Sequence, residues 1–207
     1  MKCFTYNLTE SQYIDFFSPV RTKYEIIIIL MKLIKIMLIE KPVEQPNGSF
    51  YMILKINKMS RLFLISPKKH FSINFPFTLI EDTNGMLFKS KYVDYIDNKI
   101  TSDVISFFND YKRLSSGDIY DFIQPIDELT AEEPGTWQFI KELLLFEEGY
   151  IRYDHDEKHK NGDKHPLHHL DIFYSSNPTF KIGLRDGYKK QELLDLLDID
   201  NDCKYLN

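Results

Sequence analysis

The apolar residues of the chain run in two rhythms, and the points where one gives way to the other outline a fold. Thr9 to Ser11 offers a hydroxyl cap ahead of a short helical stretch, which Pro19 interrupts. Residues 24–39 then read as a strongly apolar helix in which Lys32 and Lys35 fall three apart, on one side, leaving a broad face for a core. After a turn over 42–48, residues 49–57 and 61–66 read as two strands rich in Phe, Ile, Leu and Tyr. Residues 71–80 are a third strand candidate, which Pro76 confines to an edge or a bulge. The stretch 86–95 is ambiguous, 101–111 fits a helix, and 120–129 is irregular around Pro125.

The clearest punctuation is Thr130-Ala-Glu-Glu-Pro-Gly135. Beyond it the rhythm predicts an amphipathic helix over 137–148 with Gly149 as the residue that ends it. A strand (150–155), a polar loop (156–166), two further strands (168–174 and 179–184) and a last helix (189–197) follow. Loops this short leave no room for crossover helices, so the C-terminal block is a three-stranded antiparallel meander between two helices. The expected class is therefore α+β, an antiparallel sheet with helices packed on one face. The expected portions are residues 1–129 and 130–207, which can also be one continuous domain.

Composition removes several possibilities. The chain has 207 residues, 43% of them hydrophobic and 28% charged, which suits a globular protein with a sizeable core. The apolar run at 26–39 contains Lys32 and Lys35 and is shorter than the roughly 20 apolar residues of a membrane span, so no membrane association is expected. Nothing after it resembles a leader cleavage site, and a cytoplasmic protein is the expectation. Cys3 and Cys203 lack metal-type spacing and read as reduced thiols. A net charge of −5 argues against a long duplex footprint, though not against a local site for a few nucleotides. Asp198-Ile-Asp200-Asn-Asp202 lacks the glycine and the later glutamate of a calcium loop and reads as a solvated acidic tail.

Candidate chemistry concentrates between Arg152 and Asp171, a segment holding five of the chain's six histidines. Strand alternation puts Ile151 and Tyr153 on one face and Arg152 and Asp154 on the other, and separates His168, Leu170 and Ile172 from His169 and Asp171. If the apolar rows share a core, Arg152, Asp154, His169 and Asp171 gather on the far side. An aspartate beside a histidine fixes its tautomer and makes it a base or acid near neutral pH, and an arginine beside both can hold a phosphate. Those are the parts of phosphodiester cleavage, which an RNA substrate with its own 2′-hydroxyl can undergo without metal. The plainer alternative is a set of ion pairs on a solvated sheet face. Because residues on the far, solvated face of a strand contribute little packing, His169→Ala and Asp154→Asn are expected to abolish activity while each costs no more than about 1 kcal/mol of stability.

Metal binding is the rival chemistry, with His165, His169 and Asp171 as ligands, although the spacing matches no zinc pattern and adjacent His168 and His169 point to opposite faces. No cofactor is required, and a divalent ion is the one alternative. His155 and His159 belong to the loop as exposed residues, and Tyr153 and Tyr174 to the core or its rim.

Over residues 149–184 the arrangement Arg152-x-Asp154, a loop, then His165-Pro166-x-x-His169-x-Asp171 resembles an uncharacterised bacterial domain-of-unknown-function family. It is also similar in pattern to small toxins of bacterial toxin–antitoxin pairs. The family pattern allows His or Asp at the last position, and this chain has Asp171. The resemblance implies a bacterial defence or toxin–antitoxin setting and nucleic-acid cleavage, with Arg152, Asp154, His165, His169 and Asp171 as the site. Two readings stay open. One is a nuclease-like effector acting on RNA or single-stranded nucleic acid. The other is a non-catalytic subunit of a defence complex that docks a cognate protein partner.

Overall fold

In the computed structural model the described residues are 2–82, 85–114, 135–172 and 180–205. The expected irregular segment 120–129, most of the punctuation at 130–135 and the strand end at Phe173 and Tyr174 lie outside them.

The chain divides into two compact units, each assembled from separated segments: 1–21, 42–75 and 148–207 in one, 22–41 and 76–147 in the other. That partition differs from the sequential one at 129/130, because the second unit is inserted into the first at two points.

The first unit is a seven-stranded antiparallel sheet. Its strands are β1 (Lys2–Asn7), β2 (Tyr51–Ile56), β3 (Arg61–Ile65), β4 (Lys69–Asn74), β7 (Ile151–His155), β8 (His168–Ile172) and β9 (Phe180–Leu184), in that spatial order. The expected C-terminal meander is present, but it is not free-standing. β7 pairs with β4 and so continues the N-terminal strands. Pro76 splits the single strand expected at 71–80. Residues 69–74 become the central strand β4, and β5 (Thr78–Asp82) pairs with β6 (Gly85–Lys89) in a separate two-stranded sheet.

Helix α1 (Glu10–Phe16) starts at Thr9, whose hydroxyl accepts from the Gln12 N–H at 3.3 Å while the Gln12 amide oxygen accepts from the Thr9 N–H at 2.8 Å. Just past its end, Phe17 meets Phe71 edge-on at 5.1 Å, on one face of the sheet. On the opposite face a second cluster joins Tyr51, Phe63 and Ile65 to Leu193 of the last helix (Lys190–Leu196, here α5). Helices therefore flank both faces of this sheet rather than one. The class remains α+β.

The second unit holds α2 (Lys23–Ile39), α3 (Asn98–Leu114), α4 (Thr136–Leu145) and the β5–β6 hairpin. Thr22 and Glu25 cap α2 reciprocally, and Ile26 to Met31, Leu33, Ile34 and Met37 are buried. Lys35 reaches Ser102 of α3 at 2.5 Å. No helix among the described residues is long and apolar enough to cross a membrane.

Gly149 is not the end of the preceding helix. α4 stops at Leu145, and the Glu148 carbonyl is taken into the sheet by the Asn74 N–H at 2.8 Å. Gly149 adopts a φ of +51° beside Arg61, whose guanidinium donates to the glycine carbonyl, and an added Cβ would come within 2.9 Å of Asn74. Glycine is required there by strand packing rather than by a helix terminus.

Candidate functional site

Two cross-strand rows build the polar site. Pairing aligns Lys69, Asp154, His169 and Gly183 across β4, β7, β8 and β9, and two residues further along it aligns Phe71, Arg152, Asp171 and Lys181. Residues two apart on a strand share a face, so both rows lie on one side of the sheet. Arg152, Asp154, His169 and Asp171 thus come together as alternation predicts. Tyr153, His168 and Leu170 occupy the other side.

The environment differs from the one expected. Asp154, His169 and Asp171 are 3%, 0% and 2% exposed, so this is not a solvated face. Burial has a local cause: the polar loop after β7 folds back over the sheet. The His165 ring lies edge-on to His169 at 4.8 Å, and the Pro166 carbonyl accepts from His169 Nδ1 at 2.9 Å. Gly183, opposite His169, makes room for this return, since a Cβ there would come within 3.0 Å of Pro166. The expectation of a small stability cost at Asp154 and His169 falls with the solvated face that motivated it.

The charges are closely matched. The Arg152 guanidinium donates to Asp154 Oδ2 through Nε at 3.0 Å and to Asp171 Oδ2 through Nη2 at 2.7 Å, and Nη1 lies 3.2 Å from the Tyr150 hydroxyl. Lys181 donates to Asp171 Oδ1 at 2.6 Å and lies 3.1 Å from His169 Nε2. Lys69 stands 4.0 Å from Asp154 Oδ1, a buried oxygen with no hydrogen-bond partner among the described residues. Burial works to lower the Arg152 pKa, but Tyr150, Asp154 and Asp171 outweigh it and hold the guanidinium firmly charged.

A backbone carbonyl, not an aspartate, sets the histidine tautomer. A carbonyl can only accept, so Nδ1 carries the proton and Nε2 presents its lone pair to Lys181. The nearest carboxylate oxygens, at 3.7 and 3.9 Å from Nε2, are beyond hydrogen-bond reach. Burial, aided by the Lys181 charge, pushes the His169 pKa below the ordinary histidine value, against the opposing pull of Pro166 and the two carboxylates. His169 is therefore a neutral base or ligand rather than an acid.

A divalent ion would find its donors in Asp154, His169 and Asp171, each of which offers one ligand atom within 4.8 Å of the others. Only two of the three expected ligands belong to that set. His165 does not join it, because its Nε2 turns to Asp156 at 3.4 Å while backbone bonds to Asn161 hold it in the loop. The Lys181 ammonium already occupies two of the three donors.

The remaining histidines are loop and rim residues. His159 bonds Asp156 at 3.0 Å, and His155 faces Glu157 at 3.3 Å. Against the pull of burial, the His159 hydrogen bonds and the nearby His165 hold Asp156 down to about 2. His168 meets the Tyr153 hydroxyl at 2.9 Å on the opposite face. Asp198 is not a solvated tail residue, since it pairs with Lys55 at 2.5 Å.

Sequence reasoning missed Lys181 and Lys69. Lys181 was within reach, because alternation along Phe180-Lys181-Ile182 places it beside Asp171 once β9 pairs with β8. Lys69 was not, since nothing local says that β4 and β7 are neighbours. Compared with protein-family models, curated proteins and solved structures, the chain finds no match.

Proposed function

We propose that the protein is a nuclease-like effector of a bacterial defence or toxin–antitoxin system, acting in the cytoplasm on RNA phosphodiesters. The observation that carries this reading is a neutral His169 whose lone-pair nitrogen lies 3.1 Å from a lysine ammonium and beside a firmly charged arginine. The cations form the cluster's outer layer, with Arg152 and Lys181 side chains 14% and 27% exposed above the buried carboxylates. A phosphate docks there on Arg152 and Lys181, drawing the lysine off Nε2. The substrate 2′-hydroxyl then gives its proton to His169 Nε2 as its oxygen attacks phosphorus. The bond to the 5′-oxygen breaks, and that oxygen takes a proton from the Lys181 ammonium. Arg152 stabilises the charge gathered on the phosphoryl oxygens, while Asp154 and Asp171 hold it in place.

The test is incubation of the purified chain with end-labelled RNA and DNA, with divalent ions or with a chelator. RNA cleavage that survives chelation and is lost in His169→Gln and Lys181→Met, with cooperative melting retained, supports the reading. Cleavage that needs a divalent ion moves the chemistry to a metal held by Asp154, His169 and Asp171. Growth arrest on expression, relieved by the same substitutions, tests the biological setting.

A second reading, a docking subunit, is favoured by β9. Among the described residues this is an edge strand of the sheet, and its Phe180 is 69% exposed. Edge strands of this kind recruit an added strand from a partner. Biological activity retained in both substitutions, with no cleavage, selects that reading.

A further inference from the structure

The opposite face of the same sheet carries an open cleft of about 680 Å³ that the cluster chemistry does not use. Its floor is a single cross-strand row: Tyr51, Ile65, His70 and Tyr153 are successive partners across β2, β3, β4 and β7. Its wall is the segment that leads into α5, with Gly187, Tyr188, Lys189 and Lys190. The volume falls in the range of small-molecule sites, about 300–1,000 Å³.

The lining is chemically one-sided. Three tyrosines present ring faces or edges, with Tyr153 centred 5.4 Å from the His70 ring and 6.2 Å from Tyr188. Two lysines and a histidine supply positive or protonatable nitrogen, Ser49 and Ser66 supply hydroxyls, and no carboxylate among the described residues lines the cleft. In a chain with a net charge of −5 this is a local reversal of sign. Beside the wall, the Glu192 carboxylate accepts from the Lys189 N–H at 2.6 Å. Lys190 stands above Tyr51, 2.8 Å from its hydroxyl and 5.2 Å from its ring centre, so cation and aromatic are offered side by side.

The cleft floor also holds a largely buried imidazole. His70 is 7% exposed and lines it, and its Nδ1 is buried without a hydrogen-bond partner among the described residues. Burial and the Lys190 charge keep the ring toward its neutral form, against an opposing effect of the Lys69 backbone. Neutral imidazole can bond a hydroxyl or a ring nitrogen as well as an anion.

We propose that this cleft binds a nucleoside 5′-phosphate, with the base against the tyrosine rings and the phosphate on Lys190 and Lys189. Aromatic stacking and cation contact are the two recognition elements for an unpaired nucleotide, and the cleft offers both. A free nucleotide and the phosphorylated end of an RNA share this chemistry. The site lies on the sheet face opposite the cluster, so it is separate from the proposed catalytic centre.

Calorimetric titration of the full chain with adenosine 5′-monophosphate, adenosine, inorganic phosphate and a 5′-phosphorylated RNA trinucleotide tests this. The monophosphate should bind with a Kd below about 1 mM, and adenosine and inorganic phosphate at least tenfold more weakly. Lys190→Glu, at an exposed position, should weaken the monophosphate at least tenfold with unchanged melting. Tyr188→Ala should weaken it while leaving inorganic phosphate unaffected. A trinucleotide that binds more tightly than the monophosphate, and is equally sensitive to Lys190→Glu, identifies an RNA end as the ligand. Absence of binding at 5 mM, about five times that threshold, or binding indifferent to both substitutions, overturns the proposal. RNA cleavage unchanged in Lys190→Glu leaves the cluster reading standing whichever way the titration falls.

Discussion

Strand β7 has two faces that solve opposite problems with similar residues. Toward one side Arg152 and Asp154 enter a cluster in which each cation has a carboxylate within about 4 Å. Toward the other, Tyr153 looks with His70 into an open cleft lined by Lys189 and Lys190 and, among the described residues, by no carboxylate. The first face is closed on its own charges, and the second opens its cations and rings to a cavity. Polar residues that satisfy one another hold strands in register, whereas aromatic and cationic side chains around an open cavity suit a ligand. The proposed chemistry at His169 depends on the first arrangement being opened by a phosphate.

The comparison breaks most sharply at Asp171. This carboxylate is shared by Arg152 and Lys181, so Asp171→Ala leaves two cations without their common acceptor. The expected loss is about 3 kcal/mol, as for removal of one partner from a buried ion pair, which chemical denaturation would read directly. A loss under about 1 kcal/mol, as for a surface site, would mean that the cluster does not hold the hairpin together.

His169→Gln should cost less, about 2 kcal/mol, because the side chain is fully buried and its bond to Pro166 anchors the returning loop. Thermal melting, with the His165 imidazole followed by proton resonance, checks both the loss and its location. An unchanged His165 environment would show that the loop folds back without that bond.

Acid sharpens the contrast from a third direction. His169 and His70 both titrate below the ordinary histidine value of 6.5 in the folded chain, chiefly through burial. The unfolded chain therefore takes up protons first. The stability these two groups supply is complete above about pH 6.5 and is lost as the pH falls from there toward their folded values. Asp156, held at about 2, adds a second loss as pH falls from the usual carboxylate range. Denaturation midpoints at pH 7.5, 6.5 and 5.5 should fall in that order, and a midpoint that rises on acidification contradicts the assignment.

The smallest effect belongs to the cleft. Lys190→Ala removes an exposed ammonium that bonds one tyrosine hydroxyl, and it should change stability by no more than about 0.5 kcal/mol. A larger loss in the same denaturation series would make the cleft lysine structural rather than ligand-facing.

Much of this architecture was written in local order. Thr9 marked a helix start, and alternation alone put Arg152, Asp154, His169 and Asp171 on one face, because strand geometry repeats every two residues wherever the strand lies. Alternation assigns a face without saying what covers it. Whether that face met water was decided by the return of residues 156–167 over it, with Pro166 fitted against Gly183 and bonded to His169. Nor could local order reveal that β4 lies beside β7. That pairing joins residues some eighty positions apart, brings Lys69 to Asp154 and His70 to Tyr153, and so creates both the closed cluster and the open cleft. Sequence by itself determined the elements and the sidedness of their residues, since both follow from neighbours a few positions away. Burial, charge matching and the cleft came only from tertiary contact, since each needs partners from strands that the chain reaches much later.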